Sequence, residues 1–282
     1  MKKELQKAPK AYKNNGFLNS KDARGIRILT EFYEPLSRFT HFKIKGTIVV
    51  FGSARIKPPK VANLILRKAK SKYSSAKNNN NLKSLNDAKN IVKISKYYND
   101  AVELSKLLTE WSLKLKEPNH FVICTGGGPG IMEAANKGAK LAKGKTIGLN
   151  ISLPFEQKPN PFISPEFNFE FHYFFMRKFW FMYLGKALIA FPGGFGTLDE
   201  LMELLTLMQT LKIKKKISVV LYGKEYWDDI INFKKLVDYG MISEDDMDLF
   251  KFANTPKAAF NILKNDLLLN YPLQAAANDD EI

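Results

Sequence analysis

The chain has 282 residues, enough to bury a full core, and its hydrophobic fraction of 45% is ordinary for a globular protein. No stretch approaches ~20 uncharged apolar residues and the basic N-terminus lacks an apolar region, so neither a transmembrane helix nor a signal peptide is expected, and the single cysteine, which allows no internal disulfide, favours a cytoplasmic location. The net charge of +16 raises nucleic-acid binding, but only six of the 44 basic residues are arginine and the lysines crowd into solvated segments such as 70–90, which argues against it.

In chain order, residues 1–18 are polar and read as mobile. Ile26, Leu29, Phe32 and Leu36 recur at helical spacing between Asp22 and Phe42, predicting a helix packed on the main domain. Thr47 to Gly52 is a buried strand ending in Gly52-Ser53-Ala54-Arg55. A helical pattern follows to about Ser74, the run Asn78 to Asn81 reads as an exposed loop, and a long amphipathic helix spans Asn86 to Lys116. Strands and helices then alternate: 121–125, 131–143, 145–151, a proline-rich loop at 154–165, 167–173, 174–184, 186–191, 197–211, 216–222, 226–238 and 256–268. The fold class is α/β: a Rossmann-like, doubly wound parallel sheet with helices on both faces, plus an N-terminal helix and a helical insertion.

The chemistry concentrates in two glycine turns. The strand ending at Phe191 runs into Pro192-Gly193-Gly194-Phe195-Gly196 and then a helix opening with Thr197, Asp199 and Glu200. Backbone N–H groups exposed by glycine, together with the positive end of a helix, form an anion cradle suited to phosphate. The strand 121–125 runs likewise into Gly126-Gly127-Gly128-Pro129-Gly130 and a helix carrying Glu133. Both turns would lie at strand C-terminal ends and could face one crevice. Each residue also has a plainer reading. Thr197 and Glu200 match a capping box, and a first-turn carboxylate is stabilised as the anion by the helix dipole. Arg177 is a charge aimed into the crevice, a solvated helix-start residue, or a partner of Glu170. Glu133 contacts ribose or base, or is an ordinary first-turn acid. Ser53 and Arg55 supply further phosphate or ribose contacts, or cap a strand end.

Three features are set aside. Gly138 to Thr146 imitates a P-loop but has five residues between its glycines where four are needed, and Gly144 reads as the left-handed cap of the preceding helix. Cys124, the lone cysteine, reads as a small buried hydrophobe. His41, His120 and His172 are scattered, so no metal site is expected.

Four motifs in order, covering about Gly46 to Leu267, resemble the LOG ("Lonely Guy") family, long mislabelled as lysine decarboxylases. They are Val50 to Arg55, Gly126 to Glu133, Met176-Arg177-Lys178, and Phe191 to Glu200 with its Pro-Gly-Gly-x-Gly-Thr-x-x-Glu pattern. Phe174 and Phe175 stand where shorter plant-type members carry Met-His, as in the longer bacterial branch. The resemblance divides the chain into an extension with a helix (1–45), a Rossmann domain (46–270, insertion about 57–95) and a polar tail (271–282). It implies a phosphoribohydrolase, an N-glycosidase that cleaves AMP, a cytokinin riboside 5′-monophosphate, or both, to free base and ribose 5-phosphate. Arg177 and Glu200 would be catalytic. Ser53, Arg55, Gly127, Gly128, Gly130, Glu133, Met176, Lys178, Gly193, Gly194, Gly196 and Thr197 would bind substrate. It further implies a homodimer without metal, cofactor or membrane partner. A carrier that binds a nucleotide or cofactor without hydrolysis is the alternative.

Overall fold

The computed structural model describes residues 7–116, 119–154 and 158–271. Seven strands form one sheet: β1 (Gly46–Phe51), β2 (Phe121–Thr125), β3 (Thr146–Ile151), β4 (Asn168–Phe171), β5 (Gly185–Ala190), β6 (Ser218–Tyr222) and β7 (Lys251–Ala253). Their order is β4-β3-β2-β1-β5-β6-β7, and every neighbouring pair is parallel. The central strands β1, β2 and β6 are buried at every residue, which is why they read as uninterrupted apolar runs. The chain winds outward from β1 to β4 and then returns to place β5 on the other side of β1. Between β1 and β5 the winding direction reverses, which leaves a crevice at their C-terminal ends.

Helices cover both faces. One layer contains α2 (Arg24–His41), α6 (Phe174–Leu184) and α7 (Phe195–Gln209), which bury Phe39, Trp180, Phe181, Leu201 and Leu204 with Val49 and Leu188 of the sheet. The other contains α4 (Asn79–Ser112), α5 (Ile131–Leu141) and α10 (Pro256–Asn270), packed on Ile48, Val50, Ile123 and Ile189. Helix α3 (Pro59–Ser75) rests on the first half of α4 through a separate small cluster of Ala69, Leu85 and Ala88. Between β6 and α10 lie α8 (Lys224–Ile230) and α9 (Phe233–Asp238), and Asn15–Leu18 forms the single turn α1. No helix of the described residues is long and apolar enough to cross a membrane.

Several expectations from the sequence are corrected. The asparagine run 78–81 is not a loop. Asn78 caps α4, its side chain accepting the Asn81 N–H at 2.9 Å, and Asn81 ties back to the carbonyl of Ala76 at 2.7 Å. Residues 11–18 form short helical turns, tied to α2 where Arg27 donates to the carbonyls of Leu18 and Ser20; residues 1–6 lie outside the described set. The segment 226–238 breaks into two helices because Asn232 caps a new start, accepting the Lys235 N–H at 3.0 Å. The left-handed cap after α5 is Lys143 (φ 61°), not Gly144. Gly144 is required for another reason: a Cβ there would lie 2.2 Å from the Thr109 methyl on α4. Of the expected tail 271–282, all but Tyr271 falls outside the described residues.

Gly130 joins the two halves of the crevice. It has φ +72°, and a Cβ there would lie 2.3 Å from the Ser53 carbonyl oxygen. Gly130→Ala should therefore lower unfolding free energy by about 3 kcal/mol or more, from backbone strain plus the clash. Gly25→Ala, which meets nothing within 4 Å, should leave it unchanged or raise it by up to ~1 kcal/mol. Urea denaturation of both variants beside the wild type checks the contrast.

Candidate active site

The crevice between β1 and β5 opens into a cleft of about 730 Å³, within the ordinary range for small-molecule sites. Three loops build it and are bonded to one another. The Ser53 N–H donates to the Pro192 carbonyl at 3.0 Å, and the Ser53 carbonyl accepts the Ile131 N–H at 3.2 Å. Gly52 permits this approach, since a Cβ would lie 2.7 Å from the Ile131 side chain. Across the cleft, the Tyr226 hydroxyl donates to the Gly193 carbonyl at 2.5 Å and fixes the second glycine turn.

Helix α7 starts at Phe195, two residues before the sequence suggests, with Gly194 as its N-cap. This overturns both plain readings of Thr197 and Glu200. Thr197 is the third helical residue and caps nothing, and Glu200 lies in the second turn, beyond the strongest part of the helix dipole. The N–H groups of Phe195 and Gly196 instead fall among those that a helix start leaves without an internal partner. Gly194 and Gly196 have open space around them, and Gly193 must be glycine because a Cβ would lie 2.1 Å from the Thr197 hydroxyl. Gly193, Gly194, Gly196 and Thr197 all line the cleft, giving an anion cradle open to it.

Glu200 lies beyond the cradle, 2% exposed, and its Oε2 has no hydrogen-bond partner. Its Oε1 is 3.9 Å from Nη2 of Arg177, the outer limit of an ion pair, and Arg177 Nε is likewise buried without a partner. Burial pushes the Glu200 pKa from its usual 4.5 up to about 7, with Arg177 and Lys178 pulling the other way. Burial also pulls the Arg177 guanidinium down, against Glu200 and Asp199. Arg177 reaches the cleft from the first turn of α6, its guanidinium 5.0 Å from the Phe174 ring.

The remaining candidates divide. Ser53 and Arg55 line the cleft; the Ser53 hydroxyl accepts the Arg55 N–H at 3.1 Å, and the Arg55 side chain is exposed at the lip. Gly127, Gly128 and Gly130 do not line it. They form the back of the first turn, where Asn160 donates to the carbonyls of Gly127 and Gly128 at 3.0 and 3.1 Å. Asn160 belongs to a buried network that runs through Asn136 to Thr125 and Thr146. Glu133 faces α4, where it accepts the Tyr98 hydroxyl at 2.6 Å. Met176 is buried in the core, and Lys178 points to the far side of α7, 2.8 Å from Asp199 and 2.9 Å from Glu203. Gly126, Met132, Ile151, Leu153, Phe174 and Tyr226 are among the further lining residues and are absent from the expected set. Only Gly126, Met132 and Phe174 fall in or beside a quoted motif. Among the described residues no cluster could hold a metal ion.

Residues 132–263 match the family described as "Possible lysine decarboxylase". The match covers slightly less than half of the chain, over the segment that holds Arg177 and Glu200. No curated protein matches the chain. Among solved structures, the TM1055 crystal structure from a structural genomics consortium is 19% identical over 78% of this chain and 99% of that one, with a TM-score of 0.47. The molybdenum cofactor carrier protein of Chlamydomonas reinhardtii is 19% identical over 79% and 98% of the two chains in one structure (TM-score 0.44). In a second it is 24% identical over 62% and 89% (TM-score 0.40).

The raised pKa of Glu200 has a testable consequence for stability. Between pH 4.5 and 7 the folded protein holds a proton that the unfolded chain releases, so this group's contribution to stability falls as pH rises through that window. Glu200→Gln should therefore be more stable than the wild type by about 3 kcal/mol at pH 8, with the advantage closing towards pH 4.5. Thermal unfolding of both proteins across pH 4.5–8 checks the sign.

Proposed function

We propose that this protein hydrolyses the N-glycosidic bond of a purine nucleoside 5′-monophosphate, AMP and/or a cytokinin riboside 5′-monophosphate, to free base and ribose 5-phosphate. The observation that carries the reading is the buried, unpartnered Glu200 carboxylate facing Arg177 beside an open anion cradle. The 5′-phosphate would bind at the start of α7, on the N–H groups of Gly194 and Gly196 and the Thr197 hydroxyl. Arg55 at the lip and Arg177 within would add positive charge. The apolar side formed by Met132, Ile151, Leu153 and Phe174 would receive the base.

Breaking the bond leaves its electron pair on the base nitrogen and builds oxocarbenium-like charge at C1′. An ionised Glu200 stabilises that charge and accepts a proton from the attacking water. The hydroxide completes C1′ and the proton ends on the departing base. Arg177 stays charged and serves to hold phosphate or ribose in register. Binding energy from the unreacting phosphate helps position the reacting centre. The proposal includes a homodimer, in which Phe175, Phe179 and Tyr183, exposed along α6, would be covered by a second copy.

Incubating the protein with AMP and with isopentenyladenosine monophosphate, and separating free base from nucleotide by chromatography, tests the reaction. Base release should fall about 10²–10³-fold in Glu200→Gln and in Arg177→Ala. In the wild type kcat/KM should rise with pH through an apparent pKa of about 7 as Glu200 ionises. No release from either nucleotide, with tight nucleotide binding retained, would replace the hydrolase with a carrier.

A further inference from the structure

The N-terminal helix α2 contributes no residue to the cleft, yet it grips the helix that carries Arg177. Helix α6 follows Tyr173, which provides no side-chain cap. The backbone N–H groups entering the helix donate instead to α2. His172 N–H meets Glu31 Oε1 at 2.8 Å, and Tyr173 N–H meets Oε2 at 3.2 Å. The Glu31 backbone carbonyl accepts the Trp180 indole N–H at 2.9 Å, and the neighbouring Phe32 ring lies 5.6 Å from Phe179 and 5.8 Å from Trp180. At the other end of α6, the Lys215 ammonium donates to the carbonyls of Met182 and Tyr183. The helix is thus held by a carboxylate at its start and an ammonium at its end, the signs that its dipole favours. Tyr173 links this clamp to the cleft, because the Arg177 N–H bonds to the Tyr173 carbonyl at 3.2 Å.

We propose that Glu31 is a positioning residue for Arg177: by holding the backbone at His172 and Tyr173, it sets the first turn of α6 and so the placement of the guanidinium against Glu200. The N-terminal extension is then part of the active-site scaffold rather than an appendage. The turnover and AMP-affinity readouts below rest on the proposed function, and the hydrogen-exchange readout does not.

The test uses the full chain, with Glu31→Ala, Glu31→Gln and, as a control, Arg27→Ala. Arg27 bonds the carbonyls of Leu18 and Ser20 within the N-terminal segment and has no hydrogen bond to α6 among the described residues. Three quantities are measured well below the unfolding temperature of every variant: amide hydrogen exchange over 172–178, AMP affinity by calorimetry, and kcat and KM for base release. Glu31→Ala should speed exchange over 172–178 and weaken AMP binding. It should also lower kcat/KM about ten- to a hundredfold, mostly through kcat, because misplacement of a positioning group is felt in the reacting complex. Glu31→Gln, which keeps one acceptor oxygen, should fall between, and Arg27→Ala should match the wild type. Unchanged exchange and AMP affinity in Glu31→Ala would overturn the inference, as would an equal loss in Arg27→Ala. A wild type that releases no base would instead count against the hydrolase, and the exchange arm would still decide the role of Glu31.

Discussion

Glu200 is a carboxylate taken out of water with one oxygen unmatched, and the architecture around it serves to keep it there. The Arg177 guanidinium beside it in the cleft stands at 3.9 Å, too far to offset the cost of desolvation, so the pKa settles near 7 rather than below 4.5. A fold optimised only for stability would place an apolar residue there, or complete the ion pair. The retained tension is the kind that marks functional sites. It leaves a group able to hold or release a proton near neutrality, beside a cradle for an anion.

The placement of that carboxylate follows from topology. Where the winding reverses between β1 and β5, the loops leaving both strands meet. Gly52 and Gly130 let them approach closely enough for Ser53 to bond to Pro192 on one side and Ile131 on the other. The α7 cradle, the Arg55 lip and the Gly126 wall therefore form one rigid rim. Arg177 reaches the same point from α6, which lies in the same layer as α7 and whose start is capped by α2 rather than by its own residues. Site geometry of this kind depends on supporting contacts well outside the cleft.

Much of this is readable in the sequence, for identifiable physical reasons. Strands buried on both faces must be apolar throughout, so the runs around Ile48, Ile123, Leu188 and Val220 declare themselves. The glycine turns announce where backbone must approach backbone. What stays hidden depends on partners distant in sequence. Nothing local to Lys178 shows that Asp199 and Glu203 draw it to the far side of α7, nor that Tyr98 takes Glu133 towards α4. The start of α7 is misread by two residues because Thr-x-x-Glu imitates a capping box, while the backbone needs only Gly194 to enter the helix. The three-residue strand β7 carries too little periodicity to stand out, and the role of Glu31 rests on contacts 141 and 142 residues away.

The protonation state of Glu200 can be observed without any substrate. The side-chain carboxyl carbon of Glu200, assigned by comparison of carbon-13 spectra of the wild type and Glu200→Gln, should titrate with a midpoint near pH 7. A midpoint at or below the usual 4.5 would mean that Glu200 is solvated or fully paired, and would contradict the account of the site given above.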